Sequence, residues 1–396
     1  MFKITKLKTW LTACCFLLVV LSQAQTQNPT WSLPSNYLLN LSPIPLPNGS
    51  ASNQYPNLVY PSTGAFSNPA MTNQNAVGPH NMYSDASGNP LFSVVNGFLY
   101  NPHGYLVDTL MDTITTVSYA GSAGLATAYS PGYITKQMAL GWSEICVVPV
   151  PGNCKQYYVF TAADASFNFY TYERCAYSSG TTGGGYRPYY ALLDVSAQTP
   201  GAPSGELGKN ITNTLGYAGG GHLADLYTST NTPKTSYRNC SPYTGGIQYA
   251  CTKLIGGSYR FLFVTNDQEI TVYKITNSGI TCIRNYDMST LPSPGNEYFG
   301  TIVPGHNIAE LECYVDSANN KIKVAIEGQS DGVYNRSGAA LAFANFNMTT
   351  GWMDTTSFTN VCVNCSSTAN GTLIKGVEFS PNGSYVYLIN NYNGIA

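Results

Sequence analysis

Gly256-Gly257-Ser258 opens into Tyr259-Arg260-Phe261-Leu262-Phe263-Val264. A few residues on, Glu269-Ile270-Thr271-Val272-Tyr273-Lys274-Ile275 runs into the turn Asn277-Ser278-Gly279. Short runs of aromatic and β-branched residues bounded by Gly, Asn and Ser are strands between turns. An apolar run as continuous as Phe261–Val264 leaves neither side of a strand for water, so it predicts a strand covered on both faces.

The same unit recurs along the chain. Asp85-Ala86-Ser87-Gly88-Asn89-Pro90 turns into Leu91-Phe92-Ser93-Val94-Val95, and Asn153-Cys154-Lys155-Gln156 leads into Tyr157-Tyr158-Val159-Phe160-Thr161. Ser317-Ala318-Asn319-Asn320 leads into Lys321-Ile322-Lys323-Val324-Ala325-Ile326, and Pro381-Asn382-Gly383-Ser384 into Tyr385-Val386-Tyr387-Leu388-Ile389. With Ser93, Val159, Phe263, Val324 and Val386 as markers, the spacings are 66, 104, 61 and 62. The long interval carries its excess in Ser178–Gly185 and Gly216–Gly246. Further strands follow in the units, as at Tyr189–Val195 and Ala340–Phe346.

A period near 60 with about four strands per unit and no long amphipathic helix predicts an all-β fold, a β-propeller of four-stranded blades. One such blade cannot bury both faces alone; blades packed side by side cover each other and leave only short edges. A string of β-sandwiches would need units of about 100 residues, longer than most of these intervals. About five blades are visible in 77–396, and the last stops after its first hairpin. The chain therefore reads as the front of a longer protein, followed by further C-terminal domains, unless the extended Pro/Asn/Ser-rich leader at 25–76 closes the ring.

Composition narrows the function. Only 10% of the 396 residues are charged and the formal net charge is −2, so no basic footprint for nucleic acid exists. The N-terminus reads as an export signal. Lys3, Lys6 and Lys8 precede the apolar run Trp10–Leu21, which is too short for a stable membrane anchor, and Ser22-Gln23-Ala24 supplies small residues for cleavage between Ala24 and Gln25. Leu11-Thr12-Ala13-Cys14 matches a lipoprotein box, but most of the apolar run follows it instead of preceding it. No later stretch is apolar enough for a transmembrane span, so the expected location is secreted, extracellular or on the outer-membrane surface.

Of the 11 cysteines, Cys14 and Cys15 leave with the signal. The remaining nine meet an oxidising compartment, where bridges are expected. Cys146 and Cys154 flank a hairpin turn and are one candidate pair; Cys240 and Cys251 are another. Cys362-Val363-Asn364-Cys365 has no second CxxC to complete a zinc knuckle and no strand-to-helix context for thioredoxin-like chemistry.

Catalytic motifs are lacking. His80, His103, His222 and His306 form no HExxH, and there is no GxSxG elbow, P-loop or GxGxxG fingerprint. No motif requires a cofactor or a metal. Glu310 and Glu312 would share one face of a strand; they read first as surface carboxylates of an edge strand, and second as the one arrangement that could present paired carboxylates for acid–base work or a cation. Abundant tyrosines suit either sugar stacking or protein contact.

Several segments resemble a family of secreted propellers of Bacteroidetes, often found in large proteins with gliding-motility-associated or type IX secretion sorting domains. Ile145–Asn153 followed by Gln156–Thr161 is similar to its "IVPxPGN…YYIFT" segment, and Tyr189–Asp194 with Gly205–Asn210 to its "YSxVDM…GxGxVxxKN" segment. Ser84–Phe92 resembles its first-blade "SDxxGxLLFY", and Val377–Tyr387 its "xFSPNGxYLY" hairpin. The resemblance covers about residues 80–390; no sorting domain appears in it, and Gly216–Gly246 matches poorly. It implies a surface-displayed, non-catalytic role in adhesion, motility or surface assembly with a protein or glycan ligand. A glycan-active enzyme or lectin-like module is the alternative. It also draws attention to Thr109, Thr113, Ser317 and Thr355, which follow Asp in the Asp-Ser/Thr-apolar pattern of Bacteroidetes O-glycosylation.

Overall fold

The computed structural model describes residues 30–33, 37–40, 58–59, 80–85, 90–95, 98–113, 136–138, 145–164, 186–212, 223–232, 247–266, 269–291, 302–303, 310–330, 339–362 and 373–391. These residues form a succession of antiparallel sheets. Within 25–76 lies a three-stranded N-terminal sheet of β1 (Thr30–Leu33), β2 (Tyr37–Asn40) and β3 (Leu58–Val59). Sheet A is the four-stranded meander β4 (His80–Ser84), β5 (Pro90–Val95), β6 (Phe98–Tyr100) and β7 (Leu106–Thr109). A small hairpin follows, β8 (Met111–Thr113) with β9 (Lys136–Met138).

Sheet B runs β10 (Cys146–Pro149), β11 (Gln156–Asp164), β12 (Tyr186–Gln198) and β13 (Leu207–Asn210), with β14 (Ala224–Asp225) also on β12. A single helical turn, α1 (Leu226–Ser229), comes next. Sheet C is β15 (Gln248–Cys251), β16 (Arg260–Asn266), β17 (Glu269–Thr276) and β18 (Gly279–Asp287). Sheet D has β19 (Ile302–Val303) and β20 (Leu311–Asp316) both on β21 (Lys321–Ser330), then β22 (Ala339–Asn347) and β23 (Met353–Cys362). Sheet E has two strands, β24 (Leu373–Phe379) and β25 (Val386–Asn391).

Alternation of side chains along each strand explains why the sheets stack. On β11, Tyr157 and Val159 pack toward sheet A, while Tyr158 and Phe160 pack toward sheet C. On β16, Leu262 and Val264 face sheet B and Phe261 and Phe263 face sheet D. All four are 0% exposed, so the continuous apolar run is accounted for by cover on both sides. On β21, Ile322, Val324 and Ile326 face sheet C and Ala325 faces sheet E. The core is thus a series of apolar layers, one in each seam between neighbouring sheets. Phe263 and Phe346 meet in the C–D layer with ring centroids 4.7 Å apart.

All five sequence markers fall on the second strand of their sheet. Phe263 is displaced by one position: Val159, Val324 and Val386 pack toward the preceding sheet, but Phe263 packs toward the following one. Its neighbours Leu262 and Val264 occupy the equivalent face. An unbroken apolar run hides this parity, because both of its faces are buried.

The described part of the excess between the second and third units, residues 223–232, has a packing role. β14 extends β12, with Tyr190 opposite Ala224, and α1 places Leu226 and Tyr227 in the B–C layer. Thr232 Oγ1 lies 3.0 Å from Tyr273 Oη there.

The expected Cys146–Cys154 bridge is not formed. Cys146 pairs across the hairpin with Phe160, while Pro149, three residues on, pairs with Tyr157. Three strand residues span about 10 Å, beyond the 4.4–6.8 Å Cα separation of a disulfide. Cys154 is an exposed thiol in the turn, and Cys251 is likewise a thiol; its proposed partner Cys240 lies outside the described residues. The turn itself is as read: Asn153 N–H donates to Val150 O at 3.0 Å, and Gly152 has φ +74°, the left-handed third position of a type II turn after Pro151.

Candidate functional site

The seams carry polar ties as well as apolar layers. Between A and B, Asn81 Nδ2 donates to Ile145 O at 2.8 Å, and Asn210 Nδ2 to Asp108 Oδ2 at 2.6 Å. Glu206 Oε2 accepts from Asn101 Nδ2 at 2.8 Å and lies 2.8 Å from His103 Nδ1. Burial pushes the Glu206 carboxyl up, but these hydrogen bonds and the neighbouring His103 outweigh it and hold its pKa below the ordinary value. Between B and C, Tyr249 Oη donates to Thr161 O at 2.5 Å. Between C and D, Met353 N–H donates to Tyr286 Oη at 2.8 Å.

Between D and E, Glu310 Oε2 accepts from Val377 N–H at 2.5 Å, and Lys323 Nζ donates to Gly383 O at 3.0 Å. Glu310 and Glu312, read first as surface carboxylates and second as a pair, are both engaged with backbone; Glu312 Oε2 accepts from Cys313 N–H at 3.2 Å. Burial, with Glu378 adding to it, raises the Glu310 pKa against the hydrogen bond from Val377. Glu310 is a joint between sheets.

The buried thiols of Cys251 and Cys313 are poor nucleophiles. Burial pushes Cys251 up to about 12 despite Arg260 nearby, and raises Cys313 well above its ordinary value; only a thiolate attacks or ligates well. Among the described residues no three His, Cys, Asp or Glu side chains are grouped to hold a metal ion, and no helix is long and apolar enough to cross a membrane. His80 lies on β4 opposite Val95. Thr109 lies on β7 and Thr113 on β8. Ser317 and Thr355 are exposed, Ser317 opening a single helical turn capped by Asp316 and Thr355 next to Asp354 on β23. Ala24, Gln25, Cys240, Cys365, His222 and His306 lie outside the described residues, and Cys362 ends β23.

One set of side chains that faces solvent in a form suited to binding lies in the C–D seam. Trp352, at the end of the turn joining β22 to β23, is 57% exposed. That turn is fixed: Asn347 Oδ1 accepts from the N–H groups of Thr349 and Thr350, each at 2.9 Å, and Asn347 N–H donates to Trp352 O at 2.8 Å. Gly351, at φ +73°, sits where a Cβ would come within 2.6 Å of the Phe261 ring, so the turn is seated on the core. The Arg284 guanidinium lies 5.6 Å from the Trp352 ring centroid and 5.4 Å from that of Tyr286. In the same seam Tyr259 Oη donates to Met348 O, and Lys274 Nζ stands 3.9 Å from the Tyr259 ring centroid.

Met348-Thr349-Thr350-Gly351 has the composition of a turn, and Trp352 directly follows it. The available signal was a large aromatic at a hairpin apex, where core packing cannot claim it. Arg284 could not have been associated with it, being 68 positions away.

No family model matches this chain, and no curated protein does either. Among solved structures the chain is similar to a "putative 6-phosphogluconolactonase" from Bacteroides fragilis, at 10% identity and a TM-score of 0.33, over 80% of this chain and 64% of that one. It is also similar to Drosophila Semaphorin 2a, at 11% identity and 0.29, over 80% of this chain and 53% of that one. The chain spans less than two thirds of either, and at this level the likenesses bear on neither activity nor partner.

Proposed function

We propose that the chain is a secreted or surface-displayed β-propeller that binds a protein or glycan partner and does no chemistry on it. Sheets A to E are its blades, the last one incomplete. The signal-like segment cleaved after Ala24 and the resemblance to secreted Bacteroidetes propellers support export, with adhesion, gliding motility or surface assembly as the setting. The observation that carries the binding role is the Trp352–Arg284 patch. Trp, Tyr and Arg dominate binding energy where they are presented on rigid supports, and here the support is a hydrogen-bonded turn anchored on Phe261.

A lectin-like module is the second reading, favoured by the exposed indole, whose face suits a sugar ring. A glycan array and a panel of bacterial surface proteins, each probed with wild type and Trp352→Ala, test the proposal. Retention of a ligand by wild type and its loss by at least tenfold in the variant, with unchanged melting temperature, is expected. Release of sugar from any polysaccharide would overturn the non-catalytic reading.

A further inference from the structure

Lys274 and Arg284 stand on neighbouring strands of sheet C. Arg284 pairs with Val272 on β17, and Lys274 lies two positions beyond Val272. The two basic residues are therefore diagonal neighbours on one face, with Cα atoms about 7–8 Å apart, and Val272 shows that this face meets sheet D. Each cation lies over rings of that seam, Lys274 over Tyr259 and Arg284 over Tyr286 and Trp352. Neither is paired with a carboxylate among the described residues. Carboxylates are not scarce, since the chain has 20 acidic residues for 18 basic ones. Asp354, the acidic residue nearest Trp352 along the chain, is engaged by the N–H and hydroxyl of Thr356, at 3.2 and 2.6 Å. Two like charges held this close repel each other, and aromatic faces offset only part of what a carboxylate would supply.

The β22–β23 turn brings both cations to one place. It begins at Met348, whose carbonyl accepts from Tyr259 Oη at 3.1 Å, and ends at Trp352. Lys274 thus stands at one end of the turn and Arg284 at the other. Around the exposed indole the chain is polar: Thr349, Thr350, Thr355 and Thr356 are all exposed as well. A protein hot spot is ringed by contacts that exclude water, whereas this indole stands alone among hydroxyls. Such a setting favours a sugar, whose C–H face stacks on the ring while its hydroxyls meet the polar surround.

We infer that the ligand of this patch is an anionic polysaccharide, with a sugar ring stacked on Trp352 and its acid group, carboxylate or sulfate, held by Arg284 and Lys274. A guanidinium offers such a group two parallel N–H donors, and the lysine adds a point charge. An anion placed between the cations replaces their repulsion with attraction. A neutral sugar would leave the two charges as they are, so the acid group is what the pair selects. This assignment rests on the binding role given to Trp352 above and adds the charge of the ligand to it.

Titration calorimetry on the full chain tests it with hexagalacturonic acid against its methyl ester, dextran sulfate against dextran, and poly-glutamate. Binding of one acid sugar is expected, with its neutral form weaker by about tenfold or more; which of the two binds tells carboxylate from sulfate. Lys274→Gln and Arg284→Gln should each weaken it by about fivefold or more, and Trp352→Ala by about tenfold. Lys209→Gln makes the same charge change at an exposed site on β13 and should bind like wild type. A rise in wild-type melting temperature with the acid sugar, reduced in the two Gln variants, is the second readout. Equal binding of acid and neutral forms, an equal loss in Lys209→Gln, tighter binding of poly-glutamate, or no binding of either acid sugar overturns the inference. If a neutral sugar or a protein is bound and lost in Trp352→Ala but kept by both Gln variants, the charge assignment alone fails. If Trp352→Ala keeps every ligand, the binding role of the patch fails and this inference goes with it.

Discussion

Gly383 lies flat against the ring of Tyr314, so close that a Cβ at that position would overlap the ring carbons. Its φ is +63°, and its carbonyl accepts from Lys323 Nζ, which also stands 5.8 Å from the Tyr314 ring centroid. The turn that joins β24 to β25 is thus docked on sheet D by the one residue small enough to approach it. Gly383→Ala combines left-handed backbone strain with overpacking. It should lower stability by about 1–3 kcal/mol, read by chemical denaturation. Tyr314→Ala in the Gly383→Ala background should recover part of the loss, because the clash disappears.

Acid should act with opposite sign on two seams. Glu206 has a lowered pKa, so its contribution is present above the ordinary carboxylate range and is lost as pH falls through the lowered value. Glu310 has a raised pKa, so its contribution is full below the ordinary range and is lost as pH rises through the raised value. Melting curves across pH check this. Glu206→Gln should cost roughly 1–3 °C near neutral pH and nothing in strong acid. Glu310→Gln should be neutral or stabilising near neutral pH, with the difference vanishing in acid.

Glu310→Leu is a different case. It removes the acceptor of Val377 N–H at the D–E joint, and an unpaired buried donor costs about 1–3 kcal/mol. Limited proteolysis should then cut within β24–β25 well before the rest of the chain. Equal resistance in wild type and variant would mean the joint contributes little.

Phe263→Ala should cost about 3–5 kcal/mol, since the ring is 0% exposed and packs tilted against Phe346 from the next sheet. Trp352→Ala, 57% exposed, should change stability by less than about 0.5 kcal/mol. Urea denaturation of the two variants gives the contrast directly.

Thiol labelling checks the cysteines. Cys154 should react in the native protein, while Cys251 and Cys313 should react only after unfolding, given burial and raised pKa values. Cys154→Ser should leave stability unchanged. A loss near the 2–3 kcal/mol that closing such a short loop contributes would restore the Cys146–Cys154 bridge.

The repeat was legible because it is written locally. Turn residues at a fixed offset before each apolar run put Ser93, Val159, Val324 and Val386 on equivalent strands without reference to anything distant. The Phe261–Val264 run declared that both faces are covered, yet concealed which face is which. The candidate site was much less legible. Strand alternation puts Glu310 and Glu312 on one face, as surface carboxylates or as a pair; their partners, Val377 and Cys313 N–H, are backbone groups with no residue signature. Trp352 gained meaning only when sheet packing brought Arg284 beside it.

Strand and turn propensities, acting over a few residues, made the sequence sufficient for the all-β class, the rhythm of the units and the residues destined for the core. Which sheet faces which, which cysteines stay apart, which carboxylates become joints and which aromatics remain in water depend on contacts between residues tens to hundreds of positions apart. Those follow from stacking whole sheets, where the buried area of an entire face outweighs any local preference, and so only the tertiary structure could decide them.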